Sequence, residues 1–232
     1  MRTTLVAIFF IFWISFFGNA QNCRNSQYIK QGTTLEMASY DKNGTLQSLT
    51  ESTVKNTTEI ANGYVWIIKS VHKDKKGNKI SESEVELKCQ NGTLYISPKH
   101  LFDQNQLQNI KDLDAKIETE DLEFPSELRR GQKLKNGTIK IKAFVSGMQI
   151  LNMEISVFDR IVEEQTNLTV KAGTFTVYKI SQNIKVSNNL MNVEGKSVDY
   201  YLPGLGVIKS INMNKKGDLE GYSEMISYKE AK

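Results

Sequence analysis

Apolar and polar residues alternate along most of this 232-residue chain. In one segment, Val85, Leu87 and Cys89 occupy every second position, while Glu82, Glu84 and Glu86 occupy the alternate positions. Successive side chains of a β-strand point to opposite faces, so this spacing predicts a strand with one buried face. The same alternation recurs over 139–145 and 151–157. The chain is therefore expected to form a β-sheet.

Turn residues separate the alternating segments. Asn-Gly and Lys-Gly pairs tolerate the positive backbone angles of tight hairpin turns. Because such turns join neighbouring antiparallel strands, the sequence predicts a mainly β fold, a single domain of antiparallel hairpins. The pairs lie at 42–44, 76–78, 91–92, 136–137 and 216–218.

One stretch departs from this pattern. Leu107, Ile110 and Leu113 recur at helical spacing. This spacing predicts one short helix over 103–115.

The first twenty residues have the composition of a targeting segment. A short start containing Arg2 precedes an apolar block from Leu5 to Phe17, and small residues follow it up to Ala20. The block is shorter than the ~20 residues that a membrane-spanning helix needs, which disfavours an uncleaved anchor. We predict a signal peptide over 1–20 and a single exported β-rich domain over 21–232. No later stretch of the sequence is apolar enough to predict a transmembrane span.

Export determines how the two cysteines are interpreted. In an oxidising compartment, Cys23 and Cys89 most simply form one disulfide, which would fix the N-terminal end of the mature chain. Lipidation of Cys23 is the competing hypothesis, but Asn22 stands where a small residue is expected. A catalytic thiol at Cys89 is disfavoured because the sequence places no histidine near it.

The sequence offers little material for catalysis or metal binding. Two histidines, His72 and His100, cannot form a multi-histidine zinc site. The row Glu82, Glu84, Glu86 could hold a cation, although such rows are usually solvated strand faces. A second acidic patch over 112–123 lacks the glycine of an EF-hand loop. We therefore predict no catalytic residues, no metal and no cofactor.

A formal charge of +4 without a Lys/Arg stripe also argues against nucleic-acid binding.

Three segments carry a family resemblance: 124–134, 171–180 and 200–209. In sequence and order they resemble the successive signatures of the uncharacterised TapB-like family of exported bacterial proteins. The resemblance implies a curved antiparallel sheet or unclosed barrel, similar to the half barrels of lipoprotein carriers, in the envelope of a Gram-negative cell. It supplies no catalytic residue. The signature positions, interpreted as scaffold, are Gly131, Gly173, Thr174, Phe175, Tyr178, Pro203, Gly204 and Gly206.

A half barrel has a concave apolar face that must be filled. We therefore expect a non-enzymatic protein of the periplasm or cell surface that binds an apolar ligand or envelope component on that face, with the 103–115 helix as plug or lid. The alternative is a structural or protein-interaction module of the envelope. A hydrolase that uses the acidic patches is the third hypothesis.

Overall fold

The computed structural model describes Cys23, residues 29–97 and residues 114–231. The predicted signal peptide and residues 103–113 of the predicted helix lie outside the described residues. Asp114 and Ala115, the last two residues of that predicted helix, instead begin a β-strand, where they pair with Phe144 and Ala143. The helix prediction is wrong at these two positions because cross-strand pairing determines their conformation.

The described residues form thirteen strands, each antiparallel to its neighbours. The strands are β1 (Thr34–Asp41), β2 (Leu46–Ile60), β3 (Gly63–Asp74), β4 (Lys79–Gln90), β5 (Thr93–Ile96), β6 (Asp114–Glu120), β7 (Leu122–Pro125), β8 (Gly137–Val145), β9 (Met148–Val170), β10 (Gly173–Asn188), β11 (Asn192–Leu202), β12 (Gly206–Asn214) and β13 (Leu219–Lys229).

All thirteen strands belong to one sheet, in the order β6-β8-β9-β10-β11-β12-β13-β1-β2-β3-β4-β5-β7. Its two edge strands, β6 and β7, are consecutive in the chain and only Asp121 separates them. Because one segment forms both edges, the sheet must curve until its edges meet. The result is a nearly closed barrel, which confirms the predicted curved antiparallel architecture.

The strand directions give the barrel two distinct ends. Five short connections lie together at one end, which we call the rim: 146–147, 189–191, 215–218, 42–45 and 75–78, in their order around the barrel. Four others lie at the opposite end, which we call the base: 61–62, 91–92, 171–172 and 203–205.

Three rim turns use the same local chemistry. In the first, Asp41 Oδ1 accepts hydrogen bonds from the backbone N–H groups of Asn43 and Thr45, both at 2.9 Å. Gly44 adopts the positive φ that closes the turn. Asp74 and Asn214 organise the turns at 75–78 and 215–218 in the same way.

The predicted turn at Asn136-Gly137 is wrong, because Gly137 begins β8. A Cβ there would lie 2.6 Å from the Leu122 side chain. The glycine is therefore required by close packing rather than by a turn.

The main core fills the base half of the barrel. Trp66, Val177, Ile180 and Met225 are almost fully buried there, with Phe124 stacked on Tyr201. The predicted disulfide between Cys23 and Cys89 is present, with 5.9 Å between the Cα atoms, and both cysteines are part of this core. The bridge therefore attaches Cys23 to the base.

Candidate functional site

Above the main core, a belt of buried polar side chains crosses neighbouring strands. We call it the polar belt: Arg160 on β9, Gln182 on β10, Ser197 and Asp199 on β11, and Ser210 on β12. Gln182 lies directly opposite Ser197, and Asp199 lies opposite Ser210. Cross-strand neighbours share a face, and the belt occupies the face that buries Ile180 and Tyr201. It therefore lies inside the barrel.

Arg160 is at one end of the polar belt and is 1% exposed. Its Nε donates to Gln182 Oε1 at 3.2 Å, and its guanidinium lies 4.5 Å from the centre of the Phe124 ring. Its Nη1 donates to the backbone carbonyls of Glu123 at 3.2 Å and Lys135 at 2.6 Å. Arg160 thereby joins β7, one edge of the sheet, to the segment that leads into β8. Its Nη2 is buried and has no hydrogen-bond partner.

A local irregularity of β9 positions this side chain. Asp159, the preceding residue, has a φ of 52°, and the pairing of β9 with β10 shifts register around it. An extra residue of this kind reorients the next side chain of a strand. Here it allows both Arg160 and Val162 to be buried on the inner side, while Ile161 is partly exposed.

The other end of the belt is a buried carboxyl group. Asp199 accepts a hydrogen bond from Gln182 Nε2 at 2.7 Å and one from Ser210 Oγ at 2.7 Å. Burial raises the pKa of Asp199, while these two hydrogen bonds and the charge of Arg160 oppose the rise. Burial also lowers the pKa of Arg160 to about 10, so its guanidinium stays charged at neutral pH. Gln182 thus connects a buried cation to a buried acid.

Between the polar belt and the rim, one side of the inner surface is apolar. We call this side the apolar wall, formed by β6, β8, β9 and β10. Ile139, Ile141 and Ile155 are buried in it as a second cluster, separate from the main core. Partly buried aliphatic side chains extend it: Ile117, Leu151, Met153, Ile184 and Val186.

The inner surface of β2, β3 and β4 is instead rich in hydroxyl groups, and we call it the hydroxyl wall. Ser70 and His72 lie on the same face of β3 as Trp66, but closer to the rim. Ser70 Oγ bonds Ser52 Oγ at 2.8 Å. His72 bonds Thr50 through Nδ1 at 3.2 Å and Ser83 through Nε2 at 3.3 Å. Thr50, Ser52 and His72 are only half-buried.

The acidic rows lie elsewhere. Glu82, Glu84 and Glu86 are exposed on the outer face of β4, and Glu82 pairs with Lys69 at 3.1 Å and Lys79 at 2.7 Å. In the second patch, Glu123 pairs with Lys135 at 2.8 Å. In the described part of the chain, no group of three or more His, Cys, Asp or Glu side chains is placed to hold a metal. His100 and Asp112 lie outside that part.

The residues of the three signature segments converge on the base. Phe175 and Tyr178 pack against the main core from β10. Gly204 in a base connection and Gly131 in the segment between β7 and β8 adopt positive φ. Gly173 and Thr174 begin β10, while Pro203 begins the neighbouring turn and Gly206 follows it. The structure thus places these eight residues around the core, away from the apolar and hydroxyl walls, and their scaffold role stays a prediction.

Sequence analysis did not identify Arg160, Gln182 or Asp199. A signal for Gln182 was present, because it interrupts the apolar alternation of Ile180 and Ile184 on β10. A polar residue at an otherwise apolar inner position indicates a buried partner. That partner, Asp199, belongs to the next strand and could not be identified from spacing.

Comparison with known proteins assigns the chain to a family. A family model described as DUF3108-like matches residues 30–225. The chain belongs to this family. The match supports the expected membership of an uncharacterised family, but under a different name from TapB-like, and no curated protein matches.

Two solved structures share the fold of this DUF3108-like chain. One, from Bacteroides fragilis, is described as a candidate exported protein with a YmcC-like fold. It is 20% identical, with a TM-score of 0.70, and the match covers 86% of this chain and 96% of that one. The other, a candidate lipoprotein from Parabacteroides distasonis, is 19% identical with a TM-score of 0.71, covering 87% and 96%. Within the described residues, no helix is long and apolar enough to cross a membrane.

Proposed function

We propose that this DUF3108-like protein is an exported, non-enzymatic component of the cell envelope that binds an amphiphilic ligand inside its barrel. The predicted signal peptide and the Cys23–Cys89 disulfide support export, because disulfides persist in oxidising compartments. The descriptions of the two structural relatives as an exported protein and a lipoprotein agree with this location.

The observation that carries the proposal is the division of the inner surface near the rim. The apolar wall offers aliphatic side chains such as Met153 and Val186, which are only partly buried. The hydroxyl wall offers the half-buried hydrogen-bonding groups of Thr50, Ser52 and His72. A ligand with an apolar body and a polar group can contact both at once. Pockets for small molecules typically combine an apolar lining with a few polar groups that fix orientation.

The base half of the barrel is a poor candidate for ligand binding. Its side chains are already packed against one another, and Trp66, Ile180 and Tyr201 are at most 2% exposed. A ligand there would have to displace a close-packed core. The ligand is therefore expected to bind between the polar belt and the rim.

The acidic rows give little support to a hydrolase. The side chains of Glu82 and Glu123 are engaged with lysines at the surface. Hydrolysis by a carboxylate pair needs two carboxyl groups facing each other across the substrate. A protein-interaction role remains the alternative, and it would use the outer surface rather than the two walls.

Native mass spectrometry of the chain from Gln21 onward, purified without detergent, tests the proposal. We expect either a co-purified adduct or stoichiometric binding of an added lysophospholipid. Met153→Asn places an amide on the apolar wall and should weaken binding by about 10-fold or more. Ile161→Asn, a similar change on the outer face, should leave binding unchanged. A folded, oxidised protein that takes up neither an adduct nor the lysophospholipid would refute the proposal.

A further inference from the structure

The exposed aliphatic residues are concentrated at the rim. The structure has nine exposed large hydrophobic side chains among the described residues. Eight of them lie in the rim turns or within three residues of one, and Ile161 is the exception. Leu190 is 96% exposed, Met148 71% and Ile80 66%. The other five are Val145, Ile150, Met191, Val193 and Leu219. Isolated exposed apolar residues are common, but their concentration at one end indicates a contact surface.

The same end carries a group of lysines. The turns 42–45, 75–78 and 215–218 contain Lys42, Lys75, Lys76, Lys215 and Lys216. Lys215 pairs with Glu194 at 2.7 Å. The other four form no ion pair with a described residue.

The carboxylates of these turns are directed toward the turns themselves. Asp41 accepts from two backbone N–H groups and from Gln47. Asp74 likewise accepts from two backbone N–H groups and from the Asn78 amide. Asp218 accepts from the Asn214 amide. Among the charged groups of these three turns, those that can reach an external surface are therefore mainly ammonium groups.

Six of the eight exposed aliphatic side chains lie in one part of the rim and the lysines in an adjoining part, while Ile80 and Leu219 lie beside the lysine turns. The two turns at 146–147 and 189–191 are neighbours and form the apolar sector, with Leu190, Met148 and Val193 as its most exposed members. The three lysine turns follow one another around the remaining part and form the basic sector. This pairing of aliphatic side chains with lysines is typical of surfaces that lie in the interface of an anionic membrane.

We infer that the rim docks on the surface of an anionic lipid bilayer. The apolar sector would insert its aliphatic side chains among the acyl chains, and the basic sector would bind lipid phosphates. A bilayer fits this surface better than a protein that adds a strand. Four of the described rim turns bond backbone groups internally, so these turns offer no row of unpaired groups to an added strand. This inference does not depend on a ligand in the barrel.

Flotation of the oxidised chain from Gln21 onward with lipid vesicles tests the inference. We expect it to bind vesicles of phosphatidylcholine mixed with phosphatidylglycerol, and to bind phosphatidylcholine alone much more weakly. The double variant Lys75→Glu, Lys76→Glu should lose about 10-fold or more in affinity for the mixed vesicles. Lys55→Glu reverses an exposed charge on β2 near the base and should bind like the wild type.

The apolar sector is tested separately. Leu190→Ser with Met191→Ser should weaken binding to mixed vesicles by about 10-fold or more, since both side chains would leave the acyl region. Ile161→Ser removes the exposed aliphatic residue that is not at the rim and should have no effect. All four variants change exposed positions, so thermal unfolding should match the wild type. Failure of the wild type to float with mixed vesicles, or equal effects of rim and control variants, overturns the inference. If the wild type does not float, the rim is instead expected to contact a protein.

Discussion

Replacing Arg160 by methionine tests whether the polar belt holds the barrel together. Methionine retains most of the aliphatic volume and its contact with Phe124, but it donates no hydrogen bond. The carbonyls of Glu123 and Lys135 and the amide oxygen of Gln182 would each lose a donor. Asp199 would also lose the nearest compensating charge.

Two opposing contributions set the size of the effect. Leaving three buried acceptors without a donor costs about 1 to 2 kcal/mol each, or about 3 to 6 kcal/mol together. Loss of the cation–π contact with Phe124, at 4.5 Å, adds about 1 kcal/mol. Against this, the buried charge is removed, and the pKa of about 10 corresponds to about 3 kcal/mol of lost hydration. The expected net loss in the free energy of unfolding is about 1 to 4 kcal/mol, a range that overlaps the loss typical when one partner of a buried ionic group is removed.

Equilibrium unfolding in urea measures this loss, with the disulfide intact and near neutral pH. Arg130→Met, a matched substitution of an exposed arginine between β7 and β8, should change the free energy of unfolding by less than about 0.5 kcal/mol. A double-mutant cycle with Asp199→Asn should show coupling, because Gln182 connects the two groups. An Arg160→Met protein as stable as the wild type would refute the reasoning, since desolvation would then outweigh all three hydrogen bonds.

Three further predictions concern stability. Replacing Cys23 and Cys89 by serine should lower the free energy of unfolding by about 4 kcal/mol in the chain-entropy model for the 66-residue separation, and dithiothreitol should then have no further effect on urea unfolding. Gly137→Ala should destabilise by about 1 to 3 kcal/mol because its Cβ meets Leu122, and Leu122→Ala should partly restore stability in the double variant. Asp199 keeps its proton in the fold at pH values where the unfolded chain has lost it. The contribution of Asp199 to stability therefore falls as the pH rises above the ordinary pKa of an aspartate. Over that range, the stability of the Asp199→Asn variant should increase relative to that of the wild type. Thermal unfolding of both proteins, measured over a range of pH, would contradict this prediction if the difference between their unfolding temperatures stayed constant.

Local sequence patterns predicted the elements that depend on neighbouring residues. The alternation of Val85, Leu87 and Cys89 with charged residues predicted a strand with an exposed outer face, and the structure has it. The turns at 42–44, 76–78 and 216–218 were predicted because Asx side chains and glycine act within four residues of each other. The disulfide followed from the number of cysteines and the predicted compartment.

The features that spacing failed to predict depend on distant partners. Arg160 is buried because residues 25 and 37 positions away in sequence supply its acceptors. Asp114 and Ala115 pair with β8, about 30 residues further on, which overrides the helical spacing that precedes them. Such pairings are fixed by the closure of the sheet, and closure is a property of all thirteen strands together. The periodicity of one segment carries no information about the closure of the sheet.

The base of the barrel contributes most to stability, and the rim is the surface that we infer makes external contacts. The base contains the disulfide, the main core and the signature residues such as Tyr178 and Gly204. At the rim, the apolar sector continues the strands of the apolar wall, and the turns at 42–45 and 75–78 continue those of the hydroxyl wall. A bilayer at the rim would therefore meet aliphatic groups above the apolar wall and lysines above the hydroxyl wall. An amphiphile leaving that bilayer could keep its apolar part and its polar group on matching surfaces throughout entry. Membrane docking and ligand binding, tested separately, would then be two steps of one transfer.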